Sequence, residues 1–468
     1  MDGVRKNAAQ VLKEAGIQFG TSGARGLVEA FTDEVCAAFT SSFLTVMAEQ
    51  GARKRMVLAI DRRPNSPAMA AACAGMAQAM GCTVDYYGVL PTPALALQAF
   101  KEGVPAIMIT GSHIPFDRNG IKFYRPDGEI SKADEQRIIA SEVTLLPFTP
   151  ELPAVGTAAR ENYVARYRQM FPAEMLKGWR IGLYEHSAAG REVSRQVLQD
   201  LGAEVISLGP SEDFVPIDTE AVSLEDVQRG KRWSNEYALD AIFSTDGDGD
   251  RPLVADEMGT WLRGDLLGLI CARAMGVNAL AVPVSCNTAI EATAAFSEVL
   301  RTKIGSPYVI EAMQKLAVNY DKVAGFEANG GFLMDDLPTR DALLPALALF
   351  KVAKAKGLPI SKLLEQLPQR FTASDRLQNI PTEISNTSIE AWQQSPEQAS
   401  KDLCLPSLPN KIDATDGLRM HLESGDIVHL RASGNAPELR CYIEADSLGR
   451  AETMLISVLE SLRTYMDS

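Results

Sequence analysis

The chain has 468 residues, 46% of them apolar, too many for one hydrophobic core and enough for three or four domains at roughly 100–200 residues each. Sixty acidic residues against 46 basic ones leave a net charge of −14. That balance excludes a general nucleic-acid binder and a polybasic membrane-surface protein, and any anionic ligand would need locally concentrated cations.

The opening MDGVRKNAAQVLKEAG carries charge throughout and lacks the apolar core of a secretory signal. In chain order, MVLAI (56–60) reads as a buried strand and SPAMAAACAGMAQAM (66–80) as an Ala-rich helix with a Ser-Pro start. TVDYYG (83–88), helix-like ALALQAF (94–100) and PAIMIT (105–110) continue the alternation, which predicts βαβ units and a largely parallel sheet. The pattern restarts with RIGLYE (180–185), a helix near 190–201, EVISLG (204–209), a helix near 219–230 and DAIFST (240–245). It restarts again with ALAVPV (279–284), flanked by helices, and KVAGFE (322–327). Arg273, Asn278 and Asn287 interrupt the apolar stretch 266–290, which falls short of the ~20 residues of a membrane helix. The polar, Pro-interrupted segment 378–411 reads as irregular. LRMHLE (418–423), IVHLRAS (427–433), RCYIEA (440–445) and a helix near 447–466 read as an antiparallel α+β module. The expected domains are 1–150, 151–256 and 257–372, each mixed α/β, and 373–468, α+β. Seven cysteines without a C-x-x-C pair suit reduced, mostly buried thiols of a cytoplasmic protein.

Five segments carry chemistry. In STDGDGDRP (244–252), Asp246, Asp248 and Asp250 alternate with glycines, so in an extended loop all three carboxylates face one way and can meet on one ion. Oxygen-only donors suit Mg²⁺ or Ca²⁺. An EF-hand would place Glu257 at the twelfth position but needs glycine at the sixth, where Arg251 stands before Pro252. In ITGSHIPFDRNGIKFY (109–124), Ser112 follows an apolar strand with His113 beside it and Lys122 further on, a placement that suits a phosphoryl-carrying serine. No G-x-S-x-G elbow supports a hydrolase, and adjacent Ser112 and His113 are expected to point apart. FGTSGARGLV (19–28) is a glycine-rich loop around Arg25 but not a Walker A loop. GFEANGGFL (325–333) places Glu327 and Asn329 where they can hold two neighbouring sugar hydroxyls. RASGNAPELR (431–440) gathers Arg431, Ser433, Gly434, Asn435 and Arg440 around a turn that suits either a phosphate clamp or an ordinary hairpin with surface arginines.

As an ordered set spanning residues 19–440, these segments resemble the α-D-phosphohexomutase family, which includes phosphomannomutases, phosphoglucomutases and phosphoglucosamine mutases. The resemblance implies four domains around a central cleft, the last resembling the TATA-binding-protein fold. It implies a phosphoserine at Ser112, with Mg²⁺ held by Asp246, Asp248, Asp250 and a phosphoserine oxygen. Arg251, Arg25, His113 and Lys122 would lie near the transferring group, with Lys122 a candidate acid/base. Glu327 and Asn329 would hold sugar hydroxyls, and Arg431, Ser433, Gly434, Asn435 and Arg440 the second phosphate. The implied activity interconverts hexose 6-phosphate and hexose 1-phosphate through a hexose 1,6-bisphosphate, also the activator. Mannose is the first sugar and glucose stands beside it; a phosphoglucosamine mutase or a metal-dependent sugar phosphatase is the alternative. The implied partner is a small phosphosugar, with neither nucleic acid nor membrane, for a monomer or homodimer. The chain departs from the family pattern at Ile114, where asparagine is usual, at Asn329 for serine, at Asn435 for threonine and at Gly331, where histidine often stands.

Overall fold

The computed structural model describes residues 7–20, 23–433 and 437–466. The chain divides into two compact units, Met1–Met275 with Asn329–Leu363, and Gly276–Ala328 with Leu364–Ser468.

In the first unit, a seven-stranded sheet runs Gln18–Phe19, Ala24–Leu27, Arg118–Arg125, Ala106–Ile109, Arg55–Ile60, Thr83–Val89, with Gly128–Glu129 beside Arg118–Arg125. Arg55–Ile60 pairs parallel with Thr83–Val89 and Ala106–Ile109, as the alternation predicts. Arg118–Arg125 is antiparallel to Ala106–Ile109 and Ala24–Leu27, so the sheet is mixed rather than largely parallel. The return from Ile109 to Arg118 is too short for a parallel crossover, which needs about a dozen residues or more. Lys122 and Arg25 therefore stand on neighbouring strands rather than in loops.

A second sheet of the same unit orders Pro252–Ala255, Ala241–Thr245, Arg180–His186, Glu204–Pro210. Ala241–Thr245 is parallel to Arg180–His186 and antiparallel to Pro252–Ala255, so the aspartate segment is the loop of a hairpin. The helix expected near 219–230 is Leu224–Tyr237, because the Ser223 side chain caps it by accepting from the Asp226 amide. The unit also holds the hairpin Phe332–Met334 with Leu337–Asp341 and the packed helices Gly264–Ala274 and Leu343–Lys356.

In the second unit, Ala279–Pro283 lies between Glu298–Thr302 and Val323–Phe326, all parallel. Its C-terminal sheet orders Phe371–Gln378, Glu438–Ala445, Ile427–Ala432, Leu418–Leu422, Pro409–Asp413, with every neighbouring pair antiparallel. The segment 378–411 is not irregular: it holds the helices Thr382–Gln394 and Pro396–Asp402. Two of its four prolines start helices instead of breaking them, Pro381 as N-cap and Pro396 in the first turn. Ser385, Ser388, Ile389 and Trp392 bury one face at helical spacing, and Trp392 joins Leu455, Val458 and Leu462 of the last helix, Leu448–Met466, in the core.

All seven cysteines are free, and six are buried, Cys404 being exposed. Among the described residues, no helix is long and apolar enough to cross a membrane.

Candidate active site

Ser112 lies just past the strand Ala106–Ile109, fully buried, with φ +53°. A residue with a β-carbon in this left-handed region carries strain of roughly 1–3 kcal/mol, so the surroundings must hold it there. Arg63 does much of the holding. Its Nη1 donates to the carbonyls of Pro115 and Arg118, both at 2.8 Å, and its Nη2 to those of Ile114 at 2.6 Å and Ser112 at 3.1 Å. The guanidinium is buried over the Phe214 ring at 3.8 Å, with Nε 3.2 Å from Asp61. Gly111 is glycine because a β-carbon there would lie 2.5 Å from Arg63 Cζ. Arg63 was absent from the sequence reading, although a second arginine directly after a buried strand is a signal of a cation held inside. The turned backbone also brings Ser112 Oγ within 3.5 Å of His113 Nδ1, so the two side chains do not diverge as expected.

The hairpin loop meets this serine. Ser112 Oγ donates to Asp246 Oδ2 at 2.6 Å, while Asp246 Oδ1 accepts from the amides of Asp250 and Arg251 at 3.2 Å each. The aspartates are fully buried, and one carboxylate oxygen from each lies within 4.8 Å of the others. Counter-charges, and one hydroxyl donor, come from far along the chain. Lys122 Nζ donates to Asp248 Oδ2 at 2.5 Å and Asp250 Oδ2 at 2.7 Å, Thr92 Oγ1 to Asp248 Oδ2 at 2.5 Å, and Arg340 Nη2 to Asp250 Oδ2 at 2.8 Å. Thr92 and Arg340 were missed, since no local motif marks them.

The electrostatics separate the three carboxyls. Burial, then Asp248 and Asp250, push Asp246 well above the usual carboxylate range. Burial opposes the charge on Asp250 too, but Arg340, Lys122 and Arg251 outweigh it and hold the group well below that range. For Asp248, burial and Asp250 are outweighed by Lys122 and Thr92, and the net shift is downward. Burial and then Arg251 and Arg25 drive His113 down to about 2, so the ring is neutral and its Nδ1 accepts from Arg251 Nη1 at 2.6 Å. Arg25 falls to about 10 through burial, Arg251 and Arg340.

Asp248 Oδ1 and Asp250 Oδ1 are buried without a hydrogen-bond partner. Unpaired buried carboxylate oxygens are costly, and a hard cation satisfies them, so the donor set fits a divalent ion bound by oxygen. These three aspartates form a group able to hold a metal ion.

Glu327, in the second unit, ends the strand Val323–Phe326 and is buried. Asn329, in the first unit, uses its Oδ1 to accept from the Gly331 amide at 3.0 Å, which leaves its NH₂ group as the one free to turn to a ligand. In the second unit, Arg431 and Arg440 stand opposite each other on paired strands, and Arg376 stands opposite Arg440 on the next strand. Cross-strand partners share a face, so three guanidinium groups form one row, where like charges repel unless something anionic lies across them. Asp416 lies 2.9 Å from Arg431, and Glu438 lies 3.4 Å from Arg376 and 3.7 Å from Arg440. Arg376 went unrecognised because it sits over 50 residues before the clamp motif and only strand register brings it in. Ser433 is buried with its amide on the Glu438 carbonyl at 2.8 Å; Gly434 and Asn435 lie outside the described residues.

Residues 16–144, 161–259 and 263–371 match the alpha/beta/alpha domains I, II and III of phosphoglucomutase/phosphomannomutase, and 382–460 match its C-terminal domain. The chain belongs to the phosphoglucomutase/phosphomannomutase family. It has the family's four-domain architecture with mixed α/β sheets, and the family is one of isomerases that act by intramolecular phosphoryl transfer. The chain is 52% identical to a phosphomannomutase of Salmonella muenchen, over 98% of each chain. It is 30% identical to a phosphoglucosamine mutase of Nitratidesulfovibrio vulgaris (strain DSM 19637 / Miyazaki F), over 96% of this chain and 99% of that one. A solved phosphoglucomutase/phosphomannomutase family protein from Burkholderia thailandensis shares the fold with a TM-score of 0.76 at 19% identity, covering 95% of this chain and 96% of that one.

Proposed function

We propose that this phosphoglucomutase/phosphomannomutase family member interconverts hexose 6-phosphate and hexose 1-phosphate, with mannose phosphate as the first substrate and glucose phosphate beside it, and that Ser112 carries the phosphoryl group. One observation carries the reading: Ser112 Oγ, fully buried on a strained backbone, donates at 2.6 Å to the first of three convergent aspartates. A hydroxyl at this place, beside aspartates paired with Lys122 and Arg340 and a histidine that accepts from Arg251, suits a group that takes up and gives back a phosphoryl unit away from water.

In the proposed reaction, a hydroxyl oxygen of the sugar phosphate attacks phosphorus of phosphoserine 112. The sugar O–P bond forms as the Ser112 Oγ–P bond breaks, and the hydroxyl proton leaves the sugar while Ser112 Oγ gains one. Lys122 is the proposed acid/base for these transfers. The resulting hexose 1,6-bisphosphate turns over and returns its other phosphoryl group to Ser112, and free bisphosphate restores enzyme that has lost its phosphate. Arg251, Arg25 and His113 position the transferring group. Glu327 and Asn329 hold sugar hydroxyls. Arg431, Ser433, Gly434, Asn435 and Arg440 hold the second phosphate, with Arg376 extending the row. Mg²⁺ on Asp246, Asp248 and Asp250 would supply positive charge to offset that on the phosphoryl oxygens.

The higher identity to a named phosphomannomutase than to a phosphoglucosamine mutase supports the neutral sugars. Mannose and glucose differ only at C2, and a site without a polar group aimed at C2 separates them weakly. The test is kcat/KM on mannose, glucose and glucosamine 1-phosphates with a trace of hexose 1,6-bisphosphate, alongside peptide mass spectrometry. The expected result is phosphate on Ser112, loss of turnover in Ser112→Ala by about 10⁴-fold or more, and the highest kcat/KM on mannose 1-phosphate. Full activity in Ser112→Ala overturns the carrier. A higher kcat/KM on glucosamine 1-phosphate than on both neutral sugars overturns the substrate.

A further inference from the structure

Gly331 stands where histidine often stands in related loops, and a different residue fills the space. A β-carbon at Gly331 would lie 2.4 Å from Arg340 Cδ, 2.8 Å from Cγ and 3.1 Å from Cβ. Contacts that short do not occur between packed atoms, so nothing larger than glycine fits at 331 while Arg340 keeps its place. The backbone itself makes no such demand, because Gly331 is not among the residues with positive φ. Close approach alone requires the glycine.

Arg340 comes from the strand Leu337–Asp341 and is 2% exposed. Its stem covers Gly331, and its guanidinium ends on Asp250, with Nη2 at 2.8 Å and Nε at 3.2 Å from Oδ2. The same carboxylate oxygen takes Lys122 Nζ at 2.7 Å, while the other oxygen, Oδ1, has no hydrogen-bond partner. Arg340 and Lys122 together hold Oδ2, and Oδ1, 3.7 Å from Arg251 Nε and without a hydrogen bond, is the oxygen left for a cation.

We propose that Gly331 and Arg340 form one device: the loop gives up its side chain at 331 so that Arg340 can cross it and act as a positioning residue for Asp250. The inference rests on reading the aspartates as the metal centre of a mutase. It has a chemical consequence. A guanidinium holds its charge at any working pH and has no acceptor, so it cannot take a proton from a sugar hydroxyl as an imidazole could. At this place the protein has a fixed cation, and proton transfer falls to other groups.

The experiment is a double-substitution cycle with Gly331→Ala, Arg340→Ala and the pair together, plus Arg340→Lys. Mg²⁺ binding to each purified protein is measured by calorimetry, and kcat and KM by turnover of mannose 1-phosphate. Either single alanine is expected to weaken Mg²⁺ binding and lower kcat by about 10–100-fold, the range for residues that orient a metal ligand, with KM little changed. The double variant is expected to be no worse than Arg340→Ala, since alanine at 331 then displaces nothing. Arg340→Lys, which keeps stem and charge but loses the two-nitrogen contact, follows at smaller amplitude and carries the test if Arg340→Ala does not fold. Guanidinium ion is expected to raise kcat of Arg340→Ala. Wild-type Mg²⁺ affinity and kcat in Gly331→Ala, or additive losses in the double variant, overturn the pairing. Mg²⁺ binding without any hexose phosphate turnover in the wild type would instead refute the mutase reading and leave the pairing standing.

Discussion

The aspartate loop of the first unit and the arginine row of the second both gather like charges, but they hold them differently. In the loop every member is fully buried, and each carboxylate meets a named donor: Ser112, Thr92, Lys122 or Arg340. In the row, side-chain exposure rises from 19% at Arg431 through 35% at Arg440 to 48% at Arg376. Low-dielectric surroundings make the loop's charges depend strongly on one another, whereas water and salt weaken those of the row. The buried site therefore depends on its own internal partners, while the half-open row faces solvent.

The sharpest way to break this contrast is to remove one buried charge. Asp250→Asn leaves Arg340 and Lys122 facing a neutral amide at a site 1% exposed. Removing one partner of a buried pair costs about 3–5 kcal/mol, so urea denaturation should show a loss of that size together with loss of turnover. A loss below about 1 kcal/mol, the range of exposed pairs, would place the loop in the same class as the row.

A second test probes the buried support beneath the row. His429 donates through Nε2 to the Asp416 carbonyl at 2.7 Å, its Nδ1 has no partner, and burial takes it from 6.5 to about 4. Because the folded state resists the proton, the unfolded chain binds it first as pH falls. The stability contribution is complete above pH 6.5 and is lost between 6.5 and about 4, a change on the order of 3 kcal/mol. Melting temperature measured against pH should fall through that window and fall less in His429→Gln. Equal acid sensitivity in the variant would remove His429 from the account.

Within the row, Arg431→Ala should raise KM and release more free bisphosphate, costing about 1.5–3 kcal/mol for a charge-assisted contact. Arg376→Ala should cost less than about 1 kcal/mol and lose its effect in high salt, because that guanidinium is the most exposed. Steady-state kinetics at two salt concentrations would check the order. An effect of Arg376→Ala larger than that of Arg431→Ala would reverse the gradient.

Strand after strand was legible because runs such as MVLAI, RIGLYE and IVHL are apolar and short. Arg118–Arg125 was not, because it reads as part of the serine motif and its pairing follows from a short return. The helices Thr382–Gln394 and Pro396–Asp402 were hidden behind prolines that mark helix starts as well as loops. At the site, Ser112 and the three aspartates stood out because each motif is contiguous. Arg63, Thr92, Arg340 and Arg376 did not, since each acts on a segment distant in sequence.

By itself, the sequence determined that Asp246, Asp248 and Asp250 share one short loop; they converge because that loop is a turn, with Gly249 at φ +73° and its amide on the Asp246 carbonyl at 3.2 Å, and not the extended segment that alternation assumes. It also determined that Gly331 departs from the related loops. Only the tertiary structure decided what those carboxylates meet: the Thr92 hydroxyl donor lies 156 residues from Asp248, and the cations Lys122 and Arg340 lie 128 and 90 residues from Asp250. Charge neutralisation acts through a few ångströms of space and is indifferent to chain separation, so the partners are chosen by the packing of strands and not by any motif.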